Sequence, residues 1–122
     1  MRVRCVSIVN PATLESQSSS AWVRIGSAYE VVGIYTPAAG PATLRIVDES
    51  GTPSLWPSTM FVSDGPELSG GWGCEVVDGA VTLAPVPFLE PGFWEAYFDG
   101  DPIRRARFNE TLQDLRAIPG SL

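Results

Sequence analysis

Through the first two thirds of the chain, apolar residues recur at alternate positions in short runs cut by glycine, proline and aspartate. A period of two puts successive side chains on opposite faces of a strand. Val3–Val9 is the first such run and ends at Asn10-Pro11. Pro11–Ser20 follows as a long polar loop, and Trp22–Ile25 as a brief extended segment closed by Gly26. Tyr29–Tyr35 (YEVVGIY) predicts a strong strand with Gly33 at a bulge or tight bend. Thr43–Val47 and Thr52–Trp56 flank DESG as a hairpin, and Met60–Ser63 is a further short strand. Cys74–Val77 and Ala80–Ala84 flank Asp78-Gly79. Asp-Gly between two such runs predicts a hairpin, because both turn residues must tolerate positive φ.

The period lengthens after Pro85 and Pro87. Glu90-Pro91 predicts a capped helix start, Asp99-Gly100 a stop, and Asp101 the N-cap of a second helix. In that second helix Phe108, Leu112, Leu115 and Ile118 share one face, and Pro119-Gly120 ends it. In the first, Phe93, Trp94, Tyr97 and Phe98 form one stripe, predicted to be core, while Glu95 and Asp99 point the other way. The expected fold class is therefore α+β, mainly β with C-terminal helices. A single domain spans 1–122, with a small barrel over 1–65 and a hairpin plus two packed helices over 66–122.

WVRIGSAYEVVGIY resembles the end of the long first loop and the second strand of an SH3-like barrel. TLRIVDESGTPSLWPSTMFVSDG resembles its next two strands, a short helical turn at Pro57–Met60 and its closing strand. The resemblance covers residues 1–65 and implies an SH3-like β-barrel. SH3 domains take proline-rich peptides in an aromatic groove. Of the residues that build that groove, Pro57 is kept. Met60 stands where a tyrosine is expected, the third strand opens Ala42-Thr43-Leu44 without tryptophan, and the loop PATLESQSSS has no aromatic. The fold carries over without the peptide groove.

W-x-x-I-G-x-x-Y-x-V over 22–31, the barrel, and L-E-P-G-F-W-E-x-Y-F-D-G-D over 89–101 with a terminal helix also resemble small bacterial immunity-type proteins. That resemblance implies stoichiometric binding to one toxin domain, with no chemistry.

Composition narrows the chemistry. Of 122 residues none is histidine and all eight basic residues are arginine. Histidine-based triads, the commonest metal ligands, Schiff-base lysines and the phosphate-loop lysine are all missing. No catalytic residue, metal or cofactor is expected. What remains is carboxylate chemistry, which needs a buried, raised acid. Helical phase turns Glu95 and Asp99 outward instead.

The net charge is −6, unevenly placed. Residues 64–101 hold eight carboxylates and no basic residue, an acidic stretch that suits a basic protein partner and argues against nucleic acid. Glu67, Glu75, Asp78, Glu90, Glu95 and Asp99 are the candidate partner-binding residues, and Trp72, flanked by glycines, reads equally as a hydrophobic anchor or a core residue. Cys5 and Cys74 lie in strand-like runs and read as buried, inert thiols. No run reads as an export signal or a membrane span, so a cytoplasmic location is expected and a membrane partner is not.

The leading expectation is an immunity protein that binds and neutralises a basic toxin domain, a nuclease being one candidate. The alternatives are an SH3-like adaptor or regulatory subunit unrelated to toxins, and a small carboxylate-dependent hydrolase.

Overall fold

A computed structural model describes residues 1–116 except 11, 14, 66, 67 and 69. The chain is mainly β, with two helices at its C-terminal end.

The central strand is β4 (Ala28–Thr36), nine residues rich in β-branched and aromatic side chains. Its length lets one edge hold two partners. β1 (Arg2–Cys5) pairs with its first half, Val3 opposite Tyr29. β9 (Ala80–Pro85) pairs with its second half, Ile34 opposite Leu83. The other edge carries β5 (Thr43–Val47), and the register slips between Val31 and Gly33, where the pattern expects a bulge. β6 (Pro53–Pro57) continues the meander. A 3₁₀ turn, Ser58–Met60, then leads into β7 (Phe61–Ser63), which returns to pair with β1. Among the described residues no ladder joins β6 to β7, so the sheet is open and the expected barrel is not closed by backbone pairing.

The alternation on β4 divides the molecule. Tyr29 and Val31 face one core with Val3, Cys5, Leu44, Ile46, Trp56, Met60 and Phe61. Val32 faces a second core with Ala84, Phe88, Phe93, Tyr97, Phe108, Leu112 and Leu115. The second core exists because the helices cover that side of the sheet. β8 (Trp72–Val77) and β9 form a hairpin, and its turn residues Asp78 and Gly79 have φ of 51° and 81°, the left-handed pair the sequence demands.

Three expectations shift. Val3–Val9 is interrupted at Val6-Ser7. The strand resumes as β2 (Ile8–Val9), which pairs with β3 (Ser16–Gln17) inside the polar loop. Trp22–Ile25 is not a strand. Among the described residues it has no ladder partner, and it is held by single bonds, the Glu49 N–H to the Trp22 carbonyl and the Arg24 N–H to the Tyr29 hydroxyl. The first helix, α1 (Phe93–Phe98), starts later than Glu90-Pro91 predicts. Gly92 precedes it at φ 76°, which breaks the helical run, and the 3₁₀ turn Val86–Leu89 takes the space before it.

The second helix, α2 (Pro102–Arg116), begins where expected. Asp101 Oδ1 accepts the Ile103 N–H at 3.1 Å, and Phe108, Leu112 and Leu115 are buried. Ile118 and Pro119-Gly120 lie outside the described residues. Among the described residues no helix is long and apolar enough to cross a membrane.

Candidate partner-binding surface

The segment PGFWEAYFDGD supplies α1, and its aromatics decide how rigidly the helix is held. Phe93 and Tyr97 are buried, Trp94 is half-buried, and Phe98 is 49% exposed. The stripe is thus graded from core to rim rather than wholly core, because six residues make too short a helix to bury four rings on one face. Phe88 lies 5.1 Å from both Phe93 and Trp94, and Tyr97 lies 5.2 Å from Phe108, in tilted and edge-on geometries that rings favour.

Arg45 of β5 closes the outer side of this cluster. Its guanidinium sits 4.3 Å from the Trp94 ring centre and 5.9 Å from that of Phe98. Its Nη1 donates to the Pro53 carbonyl at 2.9 Å, and no carboxylate among the described residues pairs with it. Burial lowers its pKa to about 10. In TLRIV the alternation puts Arg45 on the face away from Leu44 and Ile46, which reads as solvent. The helix that covers that face is the information the local pattern lacks.

On the far side of α1, Glu95 and Asp99 are exposed, i and i+4, as helical phase predicts. The Asp99 N–H bonds the Glu95 carbonyl, and neither carboxylate is in an ion pair among the described residues. Glu90 is different. Its Oε1 takes Arg104 Nη2 at 2.6 Å, while Arg104 Nη1 reaches Asp101 at 3.2 Å. Asp64 meets Arg4 at 3.3 Å. Arginines from both ends of the chain therefore offset part of the acidic stretch.

The remaining carboxylates are not one patch. Glu75 is exposed on β8 and Asp78 forms the hairpin tip. Arg45, stacked against the Trp94 ring, pairs with Gly33, and a Cβ on Gly33 would touch Ala84, so α1 sits level with Ala84. The tip lies five residues further along β9, about 15 Å away at the usual strand rise. Glu67 lies outside the described residues.

Trp72 is half-buried and packs against both cores. Its indole N–H is buried without an acceptor among the described residues. Cys5 is buried, with its thiol donating to the Ser7 carbonyl. Cys74 is exposed, contrary to the expectation of two buried thiols, because only β9 flanks its strand.

A cavity of about 530 Å³ opens between Tyr29, Glu30, Glu49, Arg2 and Arg116. Its carboxylates are engaged. Glu30 meets the terminal ammonium at 3.1 Å and Glu49 meets Arg24 at 3.2 Å. Asp48, on the same wall, is consumed by its own turn, accepting from Ser50, Thr52 and Ser54. The chain matches no protein-family model, no curated protein and no solved structure.

Proposed function

We propose that this chain is a non-catalytic protein-binding module, of the immunity type, that neutralises a basic toxin domain in the cytoplasm through outward carboxylates. The observation that carries this reading is α1. Glu95 and Asp99 stand in solvent without counter-ions among the described residues, on a helix whose inner face is fixed by Phe93 and Tyr97. Charge held on a rigid element speeds encounter with a basic surface and loses little freedom on binding. The same exposure disfavours acid–base catalysis, which needs carboxylates desolvated around a substrate.

Strand connectivity supports the SH3-like scaffold for residues 1–65. A long loop, a three-strand meander, a 3₁₀ turn and a return strand beside β1 follow in that order. Met60, in the position of a groove tyrosine, is wholly buried, which supports a scaffold without the peptide groove. That connectivity is equally compatible with an adaptor unrelated to toxins, and the identity of the bound partner separates the two.

Affinity capture from the native host followed by size-exclusion chromatography tests the reading. The expected result is a stoichiometric complex with one basic protein. Turnover of a glycoside panel with no captured partner contradicts it.

A further inference from the structure

The sheet has three outer edges, and two are defended. β6 begins and ends with proline, Pro53 and Pro57. β7 is three residues long. Prolines and short edges are the usual guards against unwanted strand pairing. β8 has neither: it is six residues long, pairs among the described residues only with β9, and contains no proline and no cation.

From Cys74 onward β8 is exposed on both faces, Val76 at 65% and Val77 at 54%. β-branched side chains on an open edge are a liability for a chain that works alone. The hairpin sets the phase of the free edge. A two-residue turn with both φ positive closes on a hydrogen-bonded pair, Val77 with Ala80. Pairing then alternates, so Cys74 and Val76 turn their N–H and C=O groups away from β9. Beside these free groups stand Glu75 and Asp78, with no counter-ion among the described residues.

We propose that the free edge of β8 receives an extended, basic segment of the partner protein as an added strand. This rests on the protein-binding reading above and names how part of the partner is held. The backbone groups of Cys74 and Val76 supply the ladder. A residue opposite Glu75 lies about 5 Å away, close enough for arginine or lysine to pair with it. Charge selects this occupant over a second copy, which would bring another β8 with acids and no cation.

The probe is a capped peptide of alternating valine and arginine, with a valine–glutamate peptide as control, followed by amide NMR and hydrogen exchange. The expected result is slower exchange at Cys74 and Val76 with the basic peptide only. Glu75→Lys weakens its binding about tenfold, and Val76→Pro abolishes it by removing an outward donor. Glu75→Lys does not touch the β9 ladder, so it keeps the test valid if Val76→Pro unfolds the hairpin.

Equal binding of the acidic peptide, protection elsewhere, or a dimer that shields Cys74 in sedimentation would overturn the proposal. A captured basic partner sensitive to Glu95→Arg but not to Glu75→Lys removes the edge and leaves the binding reading intact. Failure to capture any basic partner removes that reading itself.

Discussion

Arg45 shows how a residue's environment outweighs its type. A guanidinium on a strand face reads as solvent-facing, yet here it roofs Trp94 and donates to Pro53. Arginine stems cover apolar surface as well as carrying charge. Arg45→Ala should cost about 1–2 kcal/mol in urea unfolding near neutral pH, and Arg45→Met, which keeps the cover, should cost less. Burial opposes the charged form, so the folded protein binds this proton less tightly than the unfolded chain. Wild type should therefore gain stability relative to Arg45→Met as the pH rises from about 10 toward 12. Tyr29 acts in the other direction. Burial raises its phenol, so the stability it contributes is lost as the pH climbs beyond the usual tyrosine range. That loss is common to both proteins and cancels in the comparison. The cysteines give a second check. Burial pushes the Cys5 thiol up while Cys74 is exposed, so a thiol reagent at mildly alkaline pH should modify one thiol in the native protein and the second only on unfolding. Two rapid modifications would contradict the buried position of Cys5.

Among the elements, those set by local chemistry were readable from the sequence and those set by distant packing were not. Alternation placed β5 on Thr43–Val47, and Asp78-Gly79 placed the β8–β9 turn, because neither depends on remote residues. Asp101 was legible as a cap for the same reason. Asp101→Ala should destabilise by about 1 kcal/mol, and Asp101→Asn should keep the cap while losing the Arg104 pair, both read in thermal unfolding. The start of α1 was misplaced because proline at a helix start is common, whereas the left-handed turn at Gly92 depends on how the chain enters the second core. Trp22–Ile25 has the composition of a strand but no partner to pair with among the described residues. Within α1, the graded stripe predicts unequal costs. Phe93→Ala should lose about 3–5 kcal/mol, and Phe98→Ala under about 1 kcal/mol, measured by denaturant unfolding.

At the scale of the molecule, two cores share β4, and the helices occupy the face that a lone sheet would leave wet. The acidic stretch of the sequence becomes something different in space. Arg4 and Arg104 offset Asp64, Glu90 and Asp101, and among the described residues the acids left over divide between the outer face of α1 and the β8 hairpin. Charge counting along the chain could find the excess of acid but not this division, since it is the fold that brings distant arginines beside the run. The central claim is that the outer face of α1 binds a basic protein. It is tested most directly by the dissociation constant of the captured partner for wild type and for the double variant Glu95→Arg/Asp99→Arg, with folding verified by circular dichroism. Affinity should fall about tenfold or more, and more steeply at low salt. An unchanged dissociation constant would contradict the claim.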